Sequence, residues 1–353
     1  MSVDPSRRIT PVVRVAPAKL NLTLAVVGRR PDGYHTLHSV MAPLALGDRL
    51  SLSPDPSPEA RDTLRVGGFD AGPPSDNLVL RALAATRRAL RPHLALPPAA
   101  LAVRLDKRIP VAAGLAGGSS DAAATIDGAL EAWSAADVLS EGERAALAAS
   151  IGSDVPFFLA ASPALVEGRG ERVTPLRGIR LASGERPPGL LLVTPDVAAH
   201  TAAVFAAWAG GAMGQPGVAA RSSEHFAAEF GSGMSVKQII ERAGVLAASN
   251  DLLPAAAMVV DGLVALRRAL TRLLARPIGL SGSGPTLWAL YPSIDDAELA
   301  AASVRAATET GFIATPGDGR PFVAATTFLL TTEPLITLDS PITSDAIDER
   351  SHA

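Results

Sequence analysis

Between residues 110 and 124 the chain reads PVAAGLAGGSSDAAA, with glycine at Gly114, Gly117 and Gly118, a serine pair, and then a run of alanine. Glycine is a poor helix former and alanine the best, so this segment must pass from loop to helix within a few residues. Immediately upstream, AALAVRLDKRI (99–109) alternates apolar Leu101, Val103 and Leu105 with polar neighbours, the period of a half-buried strand. Strand, glycine loop and helix in this order let main-chain N–H groups converge at a helix N-terminus, which carries roughly half a positive charge. The order predicts an anion site suited to a nucleotide polyphosphate. A glycine cluster standing alone is equally well explained as a plain turn before a helix. The loop is not a Walker A motif, because no lysine follows the glycines, and it is not the G-x-G-x-x-G dinucleotide pattern. Its serines offer hydroxyls to a phosphate or to a magnesium ion.

Three further stretches carry candidate chemistry. Only three of the 32 basic residues are lysine (Lys19, Lys107 and Lys237), the rest being arginine, and two of the three lie beside the candidate stretches, where a compact point charge has a use, though chance would also place them there. PAKLNL sets Lys19 at the start of an apolar strand, where a buried ammonium is costly without an anion; on local grounds alone an exposed strand-end lysine is the better explanation. GSDVPFFL places Asp154 between a turn and an apolar run, where a helix N-cap is the simplest local explanation. PDGYHTLHSVM presents Tyr34, one of two tyrosines, and His35 on a turn, which a packed tyrosine beside a solvated histidine would also satisfy.

Composition narrows the class. The chain has 353 residues, 48% of them hydrophobic, enough for two modest domains with buried cores. A net charge of −3 supplies no long-range attraction for nucleic acid or anionic lipid, so neither nucleic acid nor membrane is expected as a partner. The absence of cysteine excludes disulfides, a thiolate nucleophile and cysteine metal sites, as suits a cytoplasmic protein. The N-terminus lacks the apolar core of a signal peptide. Monomer and homodimer both remain open.

Strands are predicted at 12–16, 20–28, 38–44, 64–68 and 99–109. A capped helix follows from SDNLVLRALAATRRAL, another runs from about Ser120 to Ala136, and a third starts at Ser140 with a capping box to Glu143. SPDPSPEAR, SGERPPG and AGGAMGQPGVAARSSEHF read as surface insertions. A second set follows: strand GLLLVTP, one helix over 254–275, strands PIGLSG and PTLWALY, helix DDAELAAASVRAATETG and strand VAATTFLLT. Strands and helices do not alternate regularly, so the fold class is α+β. Residues 336–353 are polar and acidic and are expected to be disordered.

PAKLNLTL, GRRPDGYHTLHSVM, DNLVLRA, DKRIPVAAGLAGGSSDAAA, GSDVPFFL, SNDLLP and LSGSGPTLWALY together, over about 12–331, resemble the GHMP small-molecule kinases. PAKLNL with DGYH resembles the branch that phosphorylates a cytidine-diphospho sugar alcohol in non-mevalonate isoprenoid synthesis, whereas the glycine loop marks the superfamily alone. The alternatives are a homoserine- or mevalonate-type kinase, which should lack DGYH, and a non-catalytic nucleotide-binding homologue, which should lack Lys19 or Asp154. The chain departs from the family at Ala112, Ala113 and Ala116, where glycine is frequent, and in a longer segment around 209–236.

The resemblance implies a two-domain fold, 1–163 and 164–335, with the active site in the cleft between them. It makes Asp154 the catalytic base, in contact with substrate, and Lys19 its charged partner. Pro110, Val111, Ala112, Ala113, Gly114, Leu115, Ala116, Gly117, Gly118, Ser119 and Ser120 would hold the ATP phosphates. Asn77, Leu78 and Lys107 would lie near adenine and ribose. Tyr34 would stack on the cytosine and His35 bond its edge, while Asn21 and Thr201 would contact substrate. Mg2+ would be held mostly by ATP phosphates, with Ser120 alone nearby, and the turn 281–284 would close over the phosphate site. Transfer to the 2-hydroxyl of the sugar alcohol is the implied reaction.

Overall fold

A single long strand organises the N-terminal half of the computed structural model, which describes residues 11–330 apart from 32, 56, 58, 161 and 212–216. The predicted 336–353 tail lies outside the described residues. After β1 (Val12–Asn21) and β2 (Ala25–Arg29), β3 runs from His35 to Asp55, far beyond the segment 38–44 predicted for it. It stays extended because partners succeed one another along it: β2 at 35–38, then β6 (Ala164–Gly168) at 37–41, β1 at 41–52 and β5 (Ala100–Lys107) at 49–55. β4 (Thr63–Gly68) joins β5 in parallel and β7 (Arg172–Pro175) joins β6, giving seven strands. Residues 164–175 therefore belong to the first sheet, beyond the domain boundary expected at 163. The strand expected over 20–28 is divided, with the chain leaving the ladder after Asn21 and re-entering at Ala25.

The β1–β3 register slips between Pro17 and Lys19. Proline has no N–H for the ladder, and the N–H of Lys19 instead donates to the Leu115 carbonyl at 3.1 Å. The slip fastens the strand carrying Lys19 to the glycine loop.

Helices α1 (Leu78–Leu90), α2 (Gly117–Ala132), α3 (Glu141–Ile151) and α4 (Val155–Leu159) pack with this sheet through two apolar clusters that include Leu52, Leu83, Ile126 and Phe157. Asn77 caps α1, accepting from Val79 N–H at 3.0 Å, and the Ser140–Glu143 capping box is present. The second sheet, β8 (Gly189–Thr194), β9 (Gly279–Leu280), β10 (Leu287–Tyr291) and β11 (Phe322–Thr327), is antiparallel in the order β11-β8-β10-β9. With it come α5 (Thr201–Ala209), α6 (Val218–Ser232), α7 (Val236–Glu241), α8 (Ala243–Ala248), α9 (Leu253–Val259), α10 (Leu263–Leu274) and α11 (Ile294–Glu309). The single helix expected over 254–275 is two, broken at Val260–Gly262, where Val260 is extended.

The segment 209–236 is not a surface insertion along its described length. Ala219, Ser223, Phe226, Ala227 and Phe230 fall at helical spacing and are buried. Phe226 and Phe230 stack at 5.1 Å within an apolar cluster that also takes Leu20 and Val40 from the first sheet and Leu192 and Trp288 from the second. Helix α6 thus seals the seam between the sheets. Among the described residues no helix is long and apolar enough to cross a membrane. Phe230→Ala is expected to lower unfolding free energy by about 3–5 kcal/mol. Denaturant titration checks this, and a change within 1 kcal/mol would show that α6 is peripheral.

Candidate active site

A cleft of about 450 Å³ opens between the two halves. β1 contributes Lys19 and Asn21, the start of α1 contributes Asn77 and Leu78, and the glycine loop contributes Pro110 through Ser119 apart from Leu115. Asp154 comes from the turn before α4, Thr201 and Phe205 from α5, and Gly282 and Ser283 from the 281–284 turn. Most of the residues predicted for the site therefore converge.

The loop's shape follows from three left-handed positions. Gly114 has φ +76°, and a Cβ there would lie 2.2 Å from the Ser281 carbonyl oxygen, so no other residue fits. Ala112 and Ala116 take φ of 53° and 54°, at roughly 1–2 kcal/mol each for a residue with a Cβ. Ala116 occupies the α2 N-cap position with no side-chain cap bond, which leaves the first helical turn to an anion. Gly282 (φ +56°) approaches so closely that a Cβ would meet Lys19 Nζ at 3.0 Å. Asn250 holds that turn, donating to the Leu280 and Gly282 carbonyls at 2.9 Å each.

Lys19 is buried, only 3% exposed, rather than standing exposed at a strand end. Its ammonium donates to Gly114 O at 2.7 Å and to Asn21 Oδ1. An ammonium has three N–H donors, so one remains uncommitted at the cleft. Burial holds its pKa below the usual lysine range, and the Asp154 carboxylate opposes that from a distance, without a direct ion pair. Asp154 sits at the N-cap position of α4, yet its side chain makes no capping bond. Its carboxylate is left to the cleft.

Four predicted residues are placed differently. Leu115 is fully buried beneath the loop and presents no side chain to the cleft. Ser120 is also buried, its Oγ without a hydrogen-bond partner. Tyr34 is 54% exposed with the Arg169 guanidinium 5.1 Å from its ring centroid, and neither it nor His35 lines the cleft. His35 is the packed member of the pair, stacked on Phe205 at 5.1 Å and meeting Trp208 edge-on at 5.1 Å. Burial, then the charge of Arg29, holds its pKa down. The buried His35 Nε2 and Trp208 Nε1 both lack partners. Phe205 and Trp208 went unpredicted, although an aromatic pair three residues apart is conspicuous in a chain with 4% aromatics.

Lys107 does line the cleft, but its ammonium is clamped between Asp48 and Asp121, the latter at 2.8 Å. Asp48 Oδ1 also accepts the N–H groups of Arg108 and Ile109 at the loop's start. Burial lowers the Lys107 pKa, but the Asp121 and Asp48 carboxylates outweigh it and leave the group above the ordinary range. Burial pushes Asp121 up to about 7, against the pull of Lys107.

A glycine loop at an uncapped helix N-terminus, bonded to a buried lysine and lining one cleft with an aspartate that makes no capping bond, is the arrangement of a GHMP-type ATP-dependent small-molecule kinase. Residues 77–162 match the family model described as GHMP kinases N terminal domain. A 4-diphosphocytidyl-2-C-methyl-D-erythritol kinase of Paramagnetospirillum magneticum is 37% identical over 85% of this chain and 95% of its own length. One from Symbiobacterium thermophilum is 46% identical over a shorter stretch, 53% of this chain and 61% of its own length. The crystal structure of a 4-(cytidine 5'-diphospho)-2C-methyl-D-erythritol kinase superposes with a TM-score of 0.62 and 31% identity, over 89% of this chain and 99% of the other. The chain belongs to the 4-diphosphocytidyl-2-C-methyl-D-erythritol kinase family.

The Asp121 carboxyl makes a pH signature. Its folded value lies above its ordinary 3.8, so the folded state retains a proton that the unfolded chain releases, and stability from this group falls as pH rises from about 4 through about 7. Asp121→Asn removes that dependence. The melting temperature of the variant minus that of the native protein should rise across this window and level off above it. A difference that stays flat from pH 4 to 8 would contradict the assignment.

Proposed function

We propose that the protein transfers the γ-phosphoryl group of ATP to the 2-hydroxyl of 4-diphosphocytidyl-2-C-methyl-D-erythritol, giving the 2-phosphate and ADP, in the methylerythritol phosphate route to isoprenoids in the cytoplasm. The observation that carries this reading is the buried Lys19 ammonium, with one N–H uncommitted, set between the phosphate loop and Asp154. Phosphoryl transfer asks a protein chiefly for positioning and charge stabilisation. The first turn of α2 and the loop N–H groups hold the triphosphate, with Asn77 and Leu78 beside the nucleoside. Asp154 accepts the proton of the attacking hydroxyl as its oxygen bonds to the γ-phosphorus and the bond to ADP breaks. Lys19 meets the negative charge on the transferring group. Thr201, 3.1 Å from Ser283 at the cleft's far wall, positions the acceptor.

Magnesium suits this donor set. Ser120 Oγ and Asp121 Oδ1 are buried hard oxygen donors without partners, but only Asp121 lines the cleft. The phosphate oxygens would hold the ion, which would neutralise their charge, with Ser120 held back beneath the loop. Homoserine- and mevalonate-type readings are disfavoured, since the relatives that align at 37% and 46% identity carry the cytidyl substrate in their names.

The assay that tests the reading measures ATP consumption with cytidine-diphospho-methylerythritol, homoserine and mevalonate in parallel. Activity confined to the first is expected, and preference for either of the others would overturn the substrate. Asp154→Asn should lower kcat by about a hundredfold or more while leaving ATP affinity near native; near-native turnover would remove the base assignment.

Phe205 lines the cleft and carries the His35–Phe205–Trp208 group behind it, and Tyr34 is the exposed ring next to His35 in the chain, a set of rings that suits a pyrimidine. Tyr34→Ala should weaken the cytidine substrate by roughly ten- to a hundredfold, the worth of one base–aromatic stack, with KM for ATP unchanged. A loss confined to ATP would assign these rings to the other nucleotide.

A further inference from the structure

The catalytic part proposed for Lys19 raises the question of what aims its ammonium. Four buried polar side chains, Asn21, Ser39, Thr23 and Ser223, lie between it and helix α6. Asn21 Nδ2 donates to Ser39 Oγ at 2.8 Å, and Ser39 Oγ donates to the Thr23 carbonyl. Thr23 Oγ1 lies 2.7 Å from Ser223 Oγ on α6, and Ser223 Oγ lies 2.8 Å from His38 Nδ1. Lys19, Asn21, Thr23, Ser39 and Ser223 are each no more than 3% exposed, so no water competes for these bonds.

The direction of the chain is fixed by chemistry at both ends. A carbonyl only accepts, so the single proton of Ser39 is spent on Thr23. Ser39 Oγ can then only accept from Asn21, which turns the amide nitrogen toward Ser39 and the amide oxygen toward Lys19. The ammonium, which only donates, requires that same oxygen. Were the amide reversed, its NH2 would face the ammonium, donor against donor. Thr23 is itself held, since Thr23 Oγ1 accepts the Val40 N–H at 3.0 Å and pairs with Ser223.

We propose that Ser39 and Ser223 are positioning residues for the phosphoryl-transfer reaction: Ser39, its proton spent on the Thr23 carbonyl, accepts directly from the Asn21 amide, and Ser223 pins the side chain of that same Thr23, so that the amide oxygen holds the Lys19 ammonium in the cleft. Helix α6 thereby takes part in aiming the lysine. The proposal rests on the kinase reading for its effect on turnover, but not for its effect on Lys19 itself.

The test uses the full chain labelled with 13Cε-lysine, which gives three resonances for three lysines. Ser39→Ala, Ser223→Ala and, as a packing control in the second core, Leu266→Ala are compared with the native protein. Loss of the acceptor that fixes Asn21 withdraws stabilisation from the charged lysine, so the Lys19 titration midpoint should move to lower pH in both serine variants. In the cytidine-substrate assay kcat should fall by about tenfold for Ser39→Ala and less for Ser223→Ala, with KM for ATP within about twofold. Ser39→Thr, which restores the hydroxyl, should recover the native midpoint. Leu266→Ala should lower stability and leave the midpoint in place. A native Lys19 midpoint in either folded serine variant, or an equal shift in Leu266→Ala, would overturn the proposal. Shifted midpoints in both serine variants, with no kinase activity in the native protein, would instead support the relay and remove the kinase reading.

Discussion

Three segments distant in sequence meet at one carbonyl. Gly114 O accepts Lys19 Nζ at 2.7 Å and Ser281 Oγ at 3.0 Å, which uses both of its lone pairs. Burying an ammonium costs several kcal/mol unless acceptors surround it, so the glycine loop cannot swing away without stranding Lys19. The Ser281 turn cannot retreat without uncovering both. Ala113 O receives the Thr286 N–H at 3.3 Å, and Ala112 O receives the Ala199 N–H at 3.4 Å, so the second half of the chain is bonded to the loop at further points. The glycine loop and the Lys19 ammonium are thereby fixed in relation to each other within the protein itself, the preorganisation from which the proposed electrostatic catalysis would gain most.

Local chemistry made much of this legible. Asn77 and the Ser140–Glu143 box announce their helices because a cap is a contact over three residues or fewer. The glycine-to-alanine switch at 114–124 announces α2 for a similar reason. The full length of β3 was not legible, because Pro43 and Gly47 interrupt its pattern and its extension depends on four successive partner strands. Helix α6 was hidden by the glycines and proline that precede it, although its stripe from Ala219 to Phe230 has helical spacing. The helix pair α9–α10 read as one because Asp261 and Gly262 are a small interruption in a long apolar run.

The site divides along the same line. Lys19, Asn21 and Asp154 lie in the motifs that carry the family resemblance, although locally Lys19 also reads as a strand-end lysine and Asp154 as a helix N-cap. Asp48 lies 59 residues from Lys107, and Ser223 lies 200 from Thr23. Nothing local marks either as a partner, because each relation exists only once strands and helices are assembled. His35 shows the same limit from the other side. Its turn was legible, but its burial against Phe205 and Trp208 is a property of where α5 docks.

The two cleft lysines answer the same problem in opposite ways, and the contrast explains why an arginine-rich chain keeps lysine at both. Lys107 faces two carboxylates whose attraction outweighs its burial, so it stays charged as a pin between β3, the loop and α2. Lys19 has two neutral oxygens and one distant carboxylate, which do not offset its burial, so its charge is only partly balanced within the protein. A buried cation left short of counter-charge is an attraction held ready for an incoming anion. An arginine at either position would bring five donors in a rigid planar fork. At Lys19 only two acceptors are in place, and the surplus donors would be buried without partners whenever the cleft lacked a phosphate. The compact ammonium leaves a single N–H unspent at the cleft, where the proposed transfer needs it.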